Sequence, residues 1–335
     1  MTVTHFQRRP QAGQVSVERV FAALRASMPP GIVCRVFVSR FVSRGILRRL
    51  YNMVEATFHQ SDINHITGDV HFLALLLHKN RTVLTIHDSA SLERLKGARR
   101  AVLRWFWYVL PIARARVVTV ISESSKKELL HHVRCDAEKI RVIPSCISGD
   151  FGPDPKEFNA GQPRILQVGT AANKNALRVA EALQGIACEW LIIGAVSPAQ
   201  EESFRALGLN YIAPGPLDAQ RVHEAYRSCD MLVFASTYEG FGLPILEANA
   251  VGRPVVTSNI LSMPEVAGNA ACFVDPYNTA SIRAGILRVI AEPEYRAELV
   301  ANGFRNVERF SAAKVAAQYV GIYRELAPKR GDSAK

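Results

Sequence analysis

The chain has 335 residues, 48% of them hydrophobic and 21% charged, which excludes a disordered protein and leaves room for two domains with separate cores. No apolar run reaches the roughly 18 residues of a membrane span, and the N-terminus lacks the apolar core of a signal peptide. The six cysteines are scattered and predict free buried thiols of a reducing compartment. We therefore expect a cytoplasmic protein, with peripheral attachment to the inner face of a membrane as a further option.

The net charge of +11 is unevenly distributed. Residues 1–150 hold 23 Lys/Arg against 11 Asp/Glu, whereas the remainder holds 18 against 19. A basic half joined to a neutral half indicates that one domain faces an anionic partner. Nucleic acid, an acidic membrane surface and a phosphorylated acceptor are the candidates, and a basic surface without a partner is the alternative.

The first half alternates helical and strand-like patterns. A helix is predicted from Ser16, and strands are predicted at residues 31–38, 64–68, 81–88 and 116–123, the last two of which are β-rich apolar runs that end in polar residues. Further helices are predicted at 70–78, 98–110 and 123–132. This alternation favours βαβ units and a parallel sheet, in which ligands bind beyond the carboxyl ends of the strands.

The alternation restarts after a segment rich in glycine and proline, residues 151–163, which we interpret as a linker. The second half has strand patterns at 164–168, 190–193, 211–213, 231–234, 254–257 and 271–274, and helix patterns at 175–184, 199–207, 218–228, 243–250 and 279–290. The sequence thus predicts an α/β protein with Rossmann-like domains at 1–150 and 164–310, followed by a C-terminal helix at 311–328.

The stretch 236–250 carries the main chemical signal. It follows a buried strand pattern, contains Gly240 and Gly242, and places Pro244 at the first helical position. A glycine-containing turn that enters a helix N-terminus suits a phosphate. Glu239 lies in the turn and Glu247 about one turn into the helix. The alternative is an ordinary strand-to-helix turn with two solvated glutamates.

The spacing of these two glutamates resembles the signature of family-4 retaining glycosyltransferases, which use sugar nucleotides and have the GT-B fold of two Rossmann-like domains facing each other across a cleft. Other segments match that family in the same order. They are the loop 167–175 with its Lys-Asn pair, His87-Asp88 after a strand, the segment 65–69, the segment 120–126, Arg141-Val-Ile-Pro144, and the stretch from Ser258 to Pro276. The resemblance is dense from 164 to 276 and thin over the first 60 residues. It also implies that the C-terminal helix packs back toward the N-terminal domain.

The resemblance assigns roles to individual residues. Glu239, Lys174 and His87 would take part in catalysis: Lys174 stabilises the departing diphosphate, Glu239 lies against the donor sugar, and His87 contacts donor sugar or acceptor. His65, Thr67 and Asp88 would lie on the acceptor side. The donor-binding set, in which Glu247 binds the ribose hydroxyls, is Gly13, Gly169, Thr170, Asn175, Gly240, Phe241, Gly242, Leu243 and Glu247.

Two positions depart from the family pattern, and each assigned residue has a structural alternative. Many relatives carry an arginine where this chain has Thr170, and paired glycines where it has only Gly13. A lysine on a turn is commonly solvated. His87 fits equally a buried histidine satisfied by a carboxylate, and the serine and glutamate near residue 123 fit a helix cap.

Two basic stretches, 40–51 and 99–114, interleave arginine with apolar or aromatic residues. Arg40, Arg44 and Arg48 have helical spacing, and Pro111 is expected to end the second helix. Such helices lie in a bilayer interface or pack on their own sheet with their arginines extended to solvent.

The expected function is transfer of a hexose-type sugar from a nucleoside diphosphate sugar to an acceptor hydroxyl of a glycan, glycolipid or polysaccharide intermediate. No cofactor or metal is expected, because the histidines lack ligand spacing and the chain has no Asp-x-Asp motif of the metal-dependent transferases. A GT-B sugar-nucleotide epimerase is the alternative, and a nucleic-acid-binding protein using the basic half is a weaker one. A dehydrogenase is disfavoured because neither half has Gly-x-Gly-x-x-Gly after its first strand.

Overall fold

The computed structural model describes residues 1–10, 16–89, 92 and 95–327. These residues form two compact units. The first comprises residues 1–148 and the C-terminal segment that begins at Ala312, and the second comprises residues 149–311. Each unit contains a six-stranded parallel sheet with helices packed on it. The expected α/β architecture is confirmed.

The first unit contains strands in the order β2-β1-β3-β4-β5-β6, all paired in parallel. They are β1 (Thr2–Gln7), β2 (Val33–Val38), β3 (Ile63–Ile66), β4 (Thr82–Ile86), β5 (Val117–Val120) and β6 (Ile140–Val142). The chain moves to one side of β1 first and then crosses to the other. The carboxyl ends of β1 and β3 therefore flank the topological switch point of this sheet, where doubly wound folds bind ligands.

The helices of the described part of residues 1–148 differ from the sequence patterns in several places. They are α1 (Ser16–Ala26), α2 (Ile46–Thr57), α3 (Gly97–Leu103), α4 (Leu110–Arg114) and α5 (Glu123–His132), with short 3-10 turns at His71–Leu75, Lys79–Arg81 and Ala137–Lys139. The helix expected at 70–78 is thus only a 3-10 turn. Because α2 begins at Ile46, Arg40 and Arg44 precede the helix that their spacing suggested.

The helix expected to stop at Pro111 continues beyond it. A π-helical turn at Arg104–Val109 joins α3 to α4, and Pro111 occupies the first turn of α4. A proline disrupts a helix interior mainly by lacking an N–H and by clashing with the preceding turn. The wider π turn absorbs that disruption, so the segment stays helical to Arg114.

The C-terminal helix Ala312–Leu326 belongs to the first unit, where it contacts α1. Its buried side chains recur every three or four residues along one face, as expected for an amphipathic helix on a core. They include Val315, Tyr319 and Tyr323. The expected return of this helix to the N-terminal domain is confirmed.

The second unit contains strands in the order β12-β11-β10-β7-β8-β9, again all parallel. They are β7 (Arg164–Val168), β8 (Glu189–Ile193), β9 (Tyr211–Gly215), β10 (Met231–Phe234), β11 (Val255–Ser258) and β12 (Cys272–Val274). The strand order corresponds to that of a Rossmann domain, with its switch point between β7 and β10. Leu232 of β10 pairs there with Leu166 of β7.

The helices of the second unit are α6 (Ala176–Leu183), α7 (Pro198–Ala206), α8 (Ala219–Ser228), α9 (Leu243–Val251), α10 (Met263–Ala267), α11 (Thr279–Ala291) and α12 (Pro293–Val307). The helix α12 was not predicted, although Pro293 at its start is a common N-terminal signal. Four of the six free cysteines are buried as expected, whereas Cys34 and Cys135 are partly exposed. Within the described residues, every helix is too short or too polar to cross a membrane.

Candidate functional site: a lysine–glutamate pair at the switch point of the second sheet

Two loops meet at the switch point of the second unit. One follows β7 and contains Lys174, and the other follows β10 and contains Glu239. Lys174 Nζ lies 2.6 Å from Glu239 Oε1, and the ammonium stands 4.8 Å from the centre of the Phe234 ring. Both side chains are partly exposed, Lys174 by 21% and Glu239 by 15%. A cation and an anion thus lie together where a Rossmann sheet binds its ligand.

Gly169 determines the path of Lys174. The glycine has a φ of +92°, and a Cβ at this position would lie 2.9 Å from Cγ of Lys174 and 3.0 Å from its Cε. Only a residue without a side chain lets the lysine stem lie across the backbone here. The glycine therefore directs the ammonium toward Glu239.

Backbone and amide hydrogen bonds join the two loops. The side-chain amide of Asn173 donates to the Tyr238 carbonyl at 2.9 Å, and the Thr237 N–H donates to the Asn173 carbonyl at 2.8 Å. The buried Asn175, in a left-handed conformation with φ of 61°, donates to the carbonyls of Ala235 and Pro276. Asn175, which was predicted to bind the sugar nucleotide, therefore supports the loops from beneath. Its NH₂ group is hydrogen-bonded to these two backbone carbonyls.

The glutamate loop is supported from below by serines. The hydroxyl of Ser262 lies 3.0 Å from the Glu239 carbonyl oxygen and 2.7 Å from that of Phe241. The Ser258 hydroxyl donates to the Ser236 carbonyl at 2.6 Å. Both serines are fully buried, so they fix the loop without reaching its outer surface. Sequence reasoning did not single them out, although Ser262 precedes a Met-Pro-Glu helix start where a polar residue is a common signal.

The loop enters α9 through Gly242, which has a φ of +120° and precedes Pro244 in the first turn. The first N–H groups of a helix lack intrahelical partners and carry the positive end of its dipole. Phe241 is buried and packs edge-on against Phe310 at 5.6 Å, which anchors the turn. Gly240 and Leu243, also predicted to bind the donor, are partly exposed beside it.

Glu247 lies farther along α9 and is partly buried. Its Oε2 accepts a hydrogen bond of 2.6 Å from the hydroxyl of Tyr226, a fully buried residue of α8. Tyr226 in turn packs edge-on against Phe151 at 5.4 Å. The buried tyrosine therefore sets the orientation of this carboxylate, and no sequence pattern indicates that contact.

Thr170, which stands where many relatives have arginine, is bound to the next loop. Its hydroxyl donates to the Ala195 carbonyl at 2.6 Å, and its own carbonyl accepts from the Gln200 amide at 2.9 Å. A Cβ on Gly194 would approach the threonine within 3.2 Å. Thr170 therefore joins the β7 and β8 loops and supplies no charge.

The residues predicted in the first unit are placed differently. His65 lies inside β3 with no exposed surface; its Nδ1 is 2.6 Å from the Tyr323 hydroxyl and its Nε2 is 2.7 Å from the Thr85 hydroxyl. Burial holds the pKa of His65 well below its usual value. The expectation that His65 faces an acceptor is therefore wrong for this structure, because both ring nitrogens serve the core.

Thr67 is also fully buried, and its hydroxyl donates to the Phe6 carbonyl at 3.3 Å. Its carbonyl accepts a 2.9 Å hydrogen bond from Nε2 of His87, which is partly exposed. Because a carbonyl can only accept, Nε2 is the ring nitrogen that donates in this contact. Asp88 is exposed, and its carbonyl accepts from the Tyr108 hydroxyl at 3.3 Å. Gly13 lies outside the described residues.

Two sequence models of known families match the chain. The model described as Glycosyltransferase Family 4 matches residues 10–150, and that described as Glycosyl transferases group 1 matches residues 151–306. The chain belongs to the group 1, family-4 glycosyltransferases. Every segment that carried the resemblance lies within the two matched ranges.

Curated relatives of this glycosyltransferase include the O-antigen chain mannosyltransferase B of Escherichia coli, 28% identical over 63% of this chain and 61% of that protein. The MMP alpha-(1->4)-mannosyltransferase of Mycolicibacterium hassiacum is 27% identical over 72% of this chain and 65% of that protein. The matches thus span less than two thirds of the length of these relatives.

Solved structures resemble this glycosyltransferase over nearly its whole length. Sucrose-phosphate synthase from Thermosynechococcus elongatus gives a TM-score of 0.78 at 17% identity, covering 97% of this chain and 99% of that one. HepE of Anabaena in complex with UDP and glucose gives 0.76 at 17% identity, covering 97% and 100%. At such identities the likeness shows the fold, which is GT-B.

The described residues contain no group of three or more His, Cys, Asp or Glu side chains placed to hold a metal ion. Catalysis without a metal stays a prediction. The cation that the structure does place at the switch point of the second sheet is Lys174.

Proposed function

We propose that this glycosyltransferase moves a hexose from a nucleoside diphosphate sugar to a hydroxyl of a glycan, glycolipid or polysaccharide intermediate, with retention of the anomeric configuration. The observation that carries the proposal is the Lys174 ammonium at the switch point of the second sheet, 2.6 Å from Glu239 and in the loop facing the start of α9. A cation beside a helix N-terminus suits a diphosphate.

The chemical step places negative charge on the diphosphate. The bond between the anomeric carbon and the diphosphate oxygen breaks, and a bond from the acceptor oxygen forms on the same face of the sugar. The acceptor proton passes to the departing diphosphate, so charge and atoms balance. Lys174 and the N-terminal amides of α9 would stabilise the developing charge, which is the largest contribution that a preorganised site makes.

The two glutamates would divide the remaining work. Glu239 holds the lysine in the absence of donor and would contact the hydroxyls of the sugar once the diphosphate shares the ammonium, which has three N–H donors. Glu247, oriented by Tyr226, would accept hydrogen bonds from the ribose. Gly169 is required for the lysine to follow this path.

Mannose is the first sugar to test. The relatives from Escherichia coli and Mycolicibacterium hassiacum are both named mannosyltransferases, while HepE was crystallised with UDP and glucose. These names support a hexose and a nucleoside diphosphate, and they differ in the sugar. The two mannosyltransferase names also favour transfer over epimerisation.

A thermal-shift screen with GDP-mannose, UDP-glucose, ADP-glucose and the free diphosphates tests the donor. A ligand at about 100 times its Kd adds roughly 2.7 kcal/mol to the free energy of unfolding, which raises Tm measurably. Lys174→Ala should abolish most of that shift, whereas Arg205→Ala, on the exposed face of α7, should keep it. If no sugar nucleotide or diphosphate shifts the wild-type protein, the donor proposal is wrong.

Proton NMR of the donor alone and with acceptor separates transfer from epimerisation. The proposal predicts slow hydrolysis without acceptor and, with a mannosyl or glucosyl oligosaccharide, a product of unchanged anomeric configuration. Rapid conversion of the donor to an epimeric sugar nucleotide would establish the epimerase instead. A product with the inverted anomeric configuration would support sugar transfer but contradict the proposed retaining mechanism.

A further inference from the structure

The helix α2 of the first unit exposes an apolar face. Its buried side chains Asn52, Met53 and Ala56 lie on one side. On the other side and at its C-terminal end, large hydrophobic residues are exposed to solvent: Ile46 by 74%, Leu47 by 82%, Leu50 by 49%, Tyr51 by 45%, Val54 by 51% and Phe58 by 80%. Single exposed apolar side chains are normal on the surface of a globular protein, whereas these six lie next to one another and form a patch.

A second exposed apolar segment adjoins α2. Along α3 and the π turn that follows, Val102, Trp105 and Phe106 are exposed by 59%, 50% and 55%. The Arg49 guanidinium of α2 stacks over the Trp107 ring at 4.8 Å and donates to the Ser43 carbonyl at 3.0 Å. This contact joins α2 to the π turn that follows α3, so the two stretches that are separate in sequence lie side by side. We call their exposed residues the apolar–basic face.

The same surface is strongly cationic. Residues 40–58 and 96–109 contain one carboxylate, Glu55, against eight cations: Arg40, Arg44, Arg48, Arg49, Lys96, Arg99, Arg100 and Arg104. Of these, Arg40, Arg44, Arg48, Lys96, Arg99 and Arg100 are exposed. Arginines around exposed aromatic and aliphatic residues match the composition of helices that lie flat in a membrane interface.

We propose that the apolar–basic face binds the surface of an anionic lipid bilayer. Leu47, Phe58 and Trp105 would enter the headgroup–acyl boundary, while the surrounding arginines contact lipid phosphates. An acidic membrane surface was one of three candidate partners of the basic half. The structure favours it, because the apolar side chains are exposed to solvent and the two segments are in contact.

Charge favours a bilayer over a second copy of the chain. A symmetric dimer through this face would place the arginines of one copy against those of the other, since an isologous contact uses the same patch twice. Like charges brought together cost free energy, whereas anionic lipids neutralise the same arginines. The proposal requires no sugar nucleotide and is independent of the proposed transferase reaction.

Vesicle flotation tests the face directly. Full-length protein is mixed with vesicles of phosphatidylcholine containing about 30% phosphatidylglycerol, an anionic content sufficient for electrostatic attraction, and with vesicles of phosphatidylcholine alone. We expect binding to the anionic vesicles, reduced by high salt because exposed charges are screened. The double variant L47E/F58E should weaken binding at least about 100-fold, since two large apolar side chains no longer enter the lipid.

Arginine variants measure how much the positive charges contribute to vesicle binding, and variants of the second unit serve as controls. R44Q/R48Q should weaken binding on the order of 30-fold, at about a tenfold loss per 1.4 kcal/mol and roughly 1 kcal/mol per basic residue. Leu177→Glu and Arg205→Glu, exposed positions of the second unit, should bind as the wild type does. Circular dichroism and Tm check that each variant is folded.

Three outcomes would overturn the proposal. The wild-type protein could fail to float with anionic vesicles, L47E/F58E could float as well as the wild type, or the binding could be equal on phosphatidylcholine alone and insensitive to salt. Light scattering on the same samples tests whether a second copy of the chain binds this face instead. If the wild-type protein is a dimer that does not bind lipid, and L47E/F58E is a monomer, the face is a dimer interface.

Discussion

The polar residues at the ends of the two sheets have different surroundings. In the second unit, Lys174 and Glu239 lie in loops beyond β7 and β10 and remain partly exposed. In the first unit, His65 lies within β3 and Thr67 directly after it, both without exposed surface. In both places a predicted strand is followed by polar residues.

The difference comes from what covers each polar side chain. The C-terminal helix brings Tyr319 and Tyr323 onto the first sheet, where the Tyr323 hydroxyl bridges His65 at 2.6 Å and His5 at 3.2 Å. Residues of the second unit instead brace the Lys174 and Glu239 loops from beneath, through Asn175 and Ser262 respectively. A polar residue near a strand end is therefore a site candidate only when it lies past the end and no helix packs over it.

The largest expected effect is on the rate of sugar transfer when either member of the exposed Lys174–Glu239 pair is removed. Lys174→Ala and Glu239→Ala should each lower kcat about 10²–10³-fold, the cost typical of removing one group that stabilises transition-state charge. Sugar transfer measured by mass spectrometry tests this, with Arg205→Ala as the control. A variant at either position that transfers at the wild-type rate would show that the pair is only structural.

The pH dependence of the free energy of unfolding tests whether the buried histidines of the first unit are neutral in the folded protein. Burial lowers the pKa of His5 to about 3, and that of His65 well below its usual value. Below about pH 6.5 these histidines take up protons in the unfolded chain but not in the folded one, so acidification favours unfolding. The stabilisation is complete above pH 6.5 and is lost as the pH falls toward 3.

Each neutral buried histidine should then cost about 1.4 kcal/mol in free energy of unfolding per pH unit below 6.5. Urea titrations at pH 7, 6 and 5 measure it, and His131→Gln, an exposed position, should retain the slope. A free energy of unfolding that is unchanged from pH 7 to 5 would contradict neutral burial of these side chains.

Tyr323→Phe removes the hydroxyl shared by the two histidines. We expect a loss of about 1–3 kcal/mol, since buried nitrogens lose a hydrogen-bond partner while the ring packing remains. The donor-induced shift in Tm should be unchanged, because Tyr323 is in the first unit. Tyr277→Phe, exposed by 59%, is the matched control. An equal loss of free energy of unfolding in both variants would contradict a stabilising role for the hydrogen bonds of Tyr323 with His5 and His65.

The smallest effect concerns the orientation of Glu247. Tyr226→Phe deletes the 2.6 Å hydrogen bond to that carboxylate and should weaken donor binding about five- to tenfold, for an interaction near 1 kcal/mol. Isothermal titration with the nucleotide identified in the screen measures it, and Tyr211→Phe serves as control. A weaker kcat with unchanged donor affinity would move Glu247 from ribose binding to the chemical step.

Sequence patterns predicted the second unit well because its strands are short, buried apolar runs bounded by loops of recognisable composition. The strands β7 and β10 were predicted with the bounds that the structure gives. The helix α12 was missed, since its polar outer face weakens the apolar periodicity. The pairing of Lys174 with Glu239 was not predicted, because nothing in a linear pattern fixes which charges meet across two loops.

The first unit was predicted less well for a physical reason. The sequence predicts a strand at 64–68 with residues that face the acceptor, but β3 ends at Ile66 and His65 lies inside it. Its hydrogen-bond partner, Tyr323, is 258 residues away in sequence. Burial set by such distant contacts has no local signature, so a histidine at a strand end and one in a core look alike.

The position of the helix Ala312–Leu326 also bears on the order in which the protein is made. The second unit is continuous from residue 149 to 311 and contains all of its own sheet. The first unit, although it emerges from the ribosome earlier, needs Tyr319 and Tyr323 to complete hydrogen bonds of His5, His65 and Thr85. Domains fold as units during synthesis. The first unit is therefore completed only after the second unit has been made, when the helix Ala312–Leu326 becomes available.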